Sequence, residues 1–165
     1  MKPENNDNQQ LLIDMIQVSC PQQRLDTLVQ INKRTSHQHC MLCGPQAVLG
    51  LNLIFYHTGD QQVWAHAKGT IHQQGYLGIM HGGFLAALLD AAMCQAVFQQ
   101  NIEAVTADMS IRYLHEVALN SDILITGTVI KSYPPLYKAE AELYVNGRLM
   151  VKSNARFMKK VSEAE

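Results

Sequence analysis

The spacing of apolar and polar residues changes period twice along this chain. The segment YLGIMHGGFLAALLDAAMCQAVF spans residues 76–98. From Phe84 to Phe98 it holds good helix formers and no Gly or Pro. Phe84, Leu85, Leu88, Leu89, Ala92, Met93, Ala96 and Val97 cover most of the circumference, which predicts a buried helix. After it the period drops to two. Val105, Ala107, Met109, Ile111 and Tyr113 alternate with Thr106, Asp108, Ser110 and Arg112, predicting a strand with two distinct faces. DILITGTVIK is rich in strand formers, and Tyr133-Pro134-Pro135 predicts a corner. AEAELYV meets RLMVKSNARFM across Asn146-Gly147, a strong hairpin signal. With no second helix between them, these strands are expected to form an antiparallel meander. Upstream, VLGLNLIFYHT and QVWAHAKGTI read as two strands joined near Gly59-Asp60. One central helix and many antiparallel strands pack best as an α+β domain whose curved sheet wraps the helix.

The N-terminal region has another pattern. Residues 1–8 are polar and expected to be disordered. Leu11, Leu12, Met15 and Ile16 share one helical face, as do Leu25, Leu28 and Val29. Pro21 separates the two stretches, so residues 9–36 read as a helical hairpin. The expected organisation is a tail and helical extension over 1–39, one domain over 40–160, and a short tail over 161–165.

Composition adds limits rather than direction. The 165 residues suffice for one cored domain. A formal net charge of −1 gives no global field for nucleic acid or an anionic membrane. No apolar run reaches the ~20 residues of a membrane span, and the polar start lacks a secretory core. Four scattered cysteines do not make a disulfide scaffold. The reading is a soluble cytoplasmic protein.

Chemistry gathers around the central helix. The first N–H groups of a helix lack intrahelical partners and sit at the positive end of its dipole. The His81-Gly82-Gly83 entry can therefore offer backbone donors to a carbonyl oxygen or oxyanion. It reads equally as a tight turn needing glycine. Asp90 places a carboxylate inside an apolar helix, where a charge is costly unless paired. It reads as a group activating water or attacking an acyl carbon, or as a buried Asp bonded to a nearby loop. Asp90 lies nine residues after His81, about 13 Å along a helix. One carbonyl cannot touch both ends of that span. If both motifs act on one substrate, two subunits must each supply one of them, as a two-fold dimer does twice.

HGGFLAALLDAA resembles the helix signature of hotdog-fold thioesterases of the phenylacetate-degradation type. CMLCGPQAVLGLNLIFY is similar to the Cys-x-x-Cys-Gly opening of one branch. HQQGYLGIMHGG and TADMSIRYLHEV are similar to the flanking loop and strand. The resemblance covers roughly Cys40 to Met158. It implies a hotdog fold, a homodimer or dimer of dimers, and an acyl-CoA substrate at the dimer interface. It implies thioester hydrolysis with no metal and no cofactor beyond the coenzyme A of the substrate. Gly82 would polarise the thioester carbonyl, with His81 shaping the turn. The partner chain's Asp90 would act as general base or nucleophile, and Thr106 would hold the water. Many relatives carry Asn six residues before the His. Here that position is Gly75, and the adjacent Gln74 offers the same amide. Gln74, Gly75, Met80 and Gly83 are the expected substrate-binding positions. A non-catalytic acyl-CoA binding or sensing module is the alternative.

Smaller signals compete weakly. His37, His39, Cys40 and Cys43 are ligand types, but zinc normally draws a second pair from a distant segment and none is evident, so no metal site is expected. Arg112, Lys131, Lys138, Lys152, Arg156, Lys159 and Lys160 crowd the strand half, where some could meet the phosphates of coenzyme A.

Overall fold

A computed structural model describes residues 4–25, 27–59 and 62–160. Its elements in chain order are α1 (Glu4–Ser19), β1 (Val29–Gln30), β2 (Phe55–His57), β3 (Val63–Lys68), α2 (Gly82–Phe98), β4 (Ala104–Tyr113), β5 (Asp122–Tyr133), β6 (Leu136–Val145) and β7 (Arg148–Lys159). The seven strands form one antiparallel sheet in the order β1-β2-β3-β5-β6-β7-β4.

The inner face of the sheet holds α2. Leu88, Leu89, Ala92, Met93, Ala96 and Val97 are fully buried against Ile123 and Ile125 of β5, Ala139 and Leu143 of β6, and Phe157 of β7. Each fully buried leucine contributes roughly 1.5–3 kcal/mol relative to exposure. Helix and sheet approach closely at Gly127. A Cβ there would lie 2.6 Å from the Ala92 carbonyl oxygen, so only glycine fits.

A second core lies on the outer face. Leu12 and Ile16 of α1 pack with Leu28, Tyr56, Trp64 and Leu124, covering the β2-β3-β5 end of the sheet. The outer face of β6, β7 and β4 stays polar and charged. Arg156 bonds Asp108 across β7 and β4 there, and Lys138 pairs with Arg156 in register.

Three expectations are corrected. Residues 4–8 belong to α1 rather than to a disordered start. The second arm of the helical hairpin does not form. After a turn at residues 20–22 no second helix is assigned among the described residues, and Val29–Gln30 forms a strand that pairs with Tyr56–His57. Leu28 is buried against Tyr56 and Trp64, which a short extended segment achieves as well as a helix. The meander holds for β5-β6-β7, but β4 pairs with β7 at the far edge instead of with β5. The expected Gly59-Asp60 turn falls partly outside the described residues, though the strands it joins do pair. The 161–165 tail lies wholly outside them. Among the described residues no helix is long and apolar enough to cross a membrane.

Candidate active site

The start of α2 is built around the His81 side chain. His81 is the N-cap, in extended conformation, and its Nδ1 accepts the Gly83 N–H at 2.9 Å. Nitrogen of an imidazole thus does the work usually given to Ser or Asp. It consumes the Gly83 donor and leaves the Gly82 N–H, the first of the helix, without an intrahelical acceptor. The Gly82 carbonyl in turn accepts the Tyr113 hydroxyl at 2.8 Å, which ties the turn to β4.

The preceding loop is closed on itself. Gln74 and Met80 form an antiparallel bridge, and Gly75 N–H donates to Ile79 O at 2.9 Å. Gln74 Oε1 accepts the Gly78 N–H at 3.0 Å, where Gly78 takes φ +76°. Its amide oxygen therefore serves the loop. A Cβ at Gly75 would stand 3.1 Å from the His81 Cα, so the small residue lets the loop lie against the helix entry. Tyr76 and Leu77 are left almost wholly exposed at the tip, at 84% and 93%. Met80 is buried. It lines a cleft of about 230 Å³ with Leu12, Leu53, Tyr56, Phe84 and Leu88.

Asp90 is half-buried on α2, and its Oδ1 accepts the Thr106 hydroxyl at 2.7 Å. The strict alternation expected of β4 would turn Thr106 away from the helix. A β-bulge between Thr106 and Asp108 changes that. Thr106 stands opposite Phe157, while Met109, Ile111 and Tyr113 stand opposite Ala155, Ser153 and Val151, all buried inner-face residues. The extra residue, Ala107, shifts the phase of the strand and aims Thr106 at α2. Asp108, Ser110 and Arg112 keep the outer face.

The structure thus brings Asp90 to Thr106, and His81, Gly82 and Gly83 to one another. It keeps the two groups apart along α2, by about 13 Å on the rise of the helix. Tyr113 joins the second group and was not singled out from the sequence. Its place in the alternation put it on the helix side, but nothing in the pattern gave its hydroxyl a partner. Cys94, one turn beyond Asp90, has its thiol pKa pushed up to about 12, chiefly by burial and then by the Asp90 carboxylate.

Residues 77–145 match the family described as the Thioesterase superfamily. Together with the sheet order and the enclosed α2, this decides the architecture. The chain has a hotdog fold. Over 78 residues, 47% of the chain, the sequence is 27% identical to rat acyl-coenzyme A thioesterase THEM4, of which the match spans 34%. Among solved hotdogs, a hypothetical thioesterase protein of Streptococcus pneumoniae with coenzyme A superposes with a TM-score of 0.62 at 22% identity, over 67% of this chain and 90% of that one. The E. coli PaaI protein from the phenylacetic acid degradation operon gives 0.63 at 16% identity, over 67% and 81%. These structural likenesses speak to the hotdog fold. Variants of the streptococcal protein with an aspartate replaced by alanine, and with a threonine sixteen residues further on replaced by alanine, have also been solved.

Proposed function

We propose that this hotdog protein hydrolyses acyl-CoA thioesters at a site completed by two copies of the chain. Asp90 and Thr106 come from one copy and the Gly82 N–H from the other. The Thr106–Asp90 hydrogen bond carries the reading. A bulge aims an exposed hydroxyl at a carboxylate on an otherwise apolar helix. The sixteen-residue spacing of Asp90 and Thr106 equals that of the aspartate and threonine varied in the streptococcal protein, which was also solved with coenzyme A.

In this reaction the Gly82 N–H donates to the thioester oxygen as negative charge develops there. Asp90 takes a proton from water as it attacks the acyl carbon, or attacks that carbon itself. The carbon–sulfur bond breaks. Where water attacked, the proton held by Asp90 passes to the departing sulfur; where Asp90 attacked, the sulfur leaves as a thiolate that takes a solvent proton, and water then hydrolyses the Asp90–acyl anhydride, so either route yields a free acid and CoA. Thr106 holds the carboxylate, and the water beside it, in place.

Two features support a shared site. A carbonyl cannot span the length of α2 between Asp90 and its own Gly82. And β4 is a ten-residue edge strand with one unpaired side, exposing Val105 and Tyr113 at 57% and 49%. Such an edge is a template for a second strand. Four free cysteines suit a reducing compartment such as the cytoplasm.

Hydrolysis of a panel of acyl-CoAs by wild type and Asp90→Asn tests the proposal. The variant is expected to fold and to lose on the order of 10²–10⁴ in kcat. Equal rates would refute the role. The second reading, acyl-CoA binding without turnover, is favoured by Gln74, whose amide oxygen is held by its own loop. Tight binding of a nonhydrolysable acyl-CoA by a wild type that turns over no thioester would support it.

A further inference from the structure

We propose that His37, Cys40 and Cys43 form a zinc site that stiffens the loop before β2 where it packs on the C-terminal half of α2. Their ligand atoms all lie within 4.8 Å of one another, and Cys43 Sγ is 3.8 Å from His37 Nδ1. Zinc–sulfur and zinc–nitrogen bonds of about 2.3 and 2.0 Å in a tetrahedron put donors roughly 3.5–3.8 Å apart. The cluster therefore needs to contract by at most roughly 1.3 Å to hold the ion. The second ligand pair expected from a distant segment is not needed for a three-residue set, because a single turn of 3₁₀ helix at Thr35–His37 delivers the histidine.

The backbone is shaped for this. Gly44 N–H donates to Cys40 O at 2.8 Å, closing a tight turn that puts both sulfurs on one side. A Cβ on Gly44 would lie 2.5 Å from Cys40 N and from Gln38 O, so the close approach requires glycine. The loop already leans on α2. His37 packs edge-on to Phe98 at 4.7 Å, and Gln95 Nε2 donates to Cys43 Sγ at 3.5 Å. Two thiolates and a neutral imidazole balance the charge of Zn²⁺. The fourth position falls to water or another small ligand. A Cys-x-x-Cys pair also suits a disulfide, but a disulfide has no use for the imidazole at 3.8 Å.

The test uses the full chain purified without added metal or chelator. Elemental analysis is expected to find about one zinc per chain, lost in the C40S/C43S variant and retained in Cys94→Ser. Chelator-stripped, reduced protein titrated with Co²⁺ should saturate at one equivalent with thiolate-to-cobalt charge-transfer absorption. His37→Ala should weaken that affinity by at least the roughly 10–100-fold that an outer-shell change costs. Equal metal content in wild type and C40S/C43S overturns the proposal. So does reduced wild type that binds neither zinc nor cobalt, including one isolated only as a Cys40–Cys43 disulfide. If C40S/C43S does not fold, the cobalt spectra of wild type and His37→Ala decide.

Discussion

Thr106 Oγ1 donates to Asp90 Oδ1 at 2.7 Å only because Ala107 is an extra residue in β4. Without the bulge, Thr106 would share the outer face with Asp108. Its expected contribution is to hold a carboxylate, and a water, in one orientation. Thr106→Val keeps the shape and removes the hydroxyl. It should lower kcat for the best acyl-CoA by roughly 10–100-fold, about 1.4–2.7 kcal/mol of barrier. Thr106→Ser should recover most of it. Steady-state kinetics of the two variants decide the point, and wild-type kinetics for Thr106→Val would remove Thr106 from the mechanism.

Two glycines separate packing from chemistry. At Gly127 a Cβ would meet the Ala92 carbonyl oxygen at 2.6 Å. Gly127→Ala should cost at least about 1–3 kcal/mol in urea unfolding, since helix and sheet must separate. At Gly82 a Cβ would meet only the Tyr113 ring, at 3.5 Å, an ordinary contact. Gly82→Ala should therefore unfold at or slightly above the wild-type midpoint, because Ala is the better helix former. If the proposed reaction holds, acyl-CoA hydrolysis should nonetheless fall at least about tenfold, as the methyl group crowds the N–H assigned to the oxyanion. A destabilised Gly82→Ala would return this glycine to a structural role.

Strong periodicity explains what could be read from the residues alone. Phe84–Phe98 is apolar on most sides and is the buried helix α2. Asn146 and Gly147 have φ of 49° and 77° and make the predicted turn between β6 and β7. The bulge at Ala107 left no trace in composition, because one inserted residue alters phase without altering character. That same shift decides where Thr106 points. Leu25, Leu28 and Val29 fit a helical face and an extended segment alike, and pairing with β2 settled the choice. Sheet order was equally hidden. Nothing in Ala104–Tyr113 says that its partner is β7, since pairing is set by how the whole sheet closes around α2.

Cys94 makes stability depend on pH. Its thiol pKa is pushed up to about 12 by burial, then by Asp90, from an ordinary value of 9.0. The folded state thus keeps the thiol neutral while the unfolded chain ionises it. This contribution is fully present below pH 9 and is lost as pH rises toward 12. Between pH 8 and pH 10 it should amount to about 1 kcal/mol of lost stability. Urea midpoints at the two pH values should draw closer in Cys94→Ala than in wild type by that amount. An unchanged gap would mean that another group controls the alkaline limb.

Subunit complementation gives the strictest test of a shared site. Asp90→Asn and Gly82→Ala should each be nearly inactive alone. In a mixed dimer, one interface pairs the altered residues and is dead twice over. The other pairs the intact Asp90 of the Gly82→Ala chain with the intact Gly82 of the Asp90→Asn chain. Random mixing after reversible dissociation makes half of the dimers mixed, each with one working site of two. Activity should return to about a quarter of wild type. If each chain held a complete site, every site in the mixture would carry one of the two changes, and mixing would restore nothing. Recovery near one quarter therefore requires that the carboxylate and the amide reach one substrate from different chains.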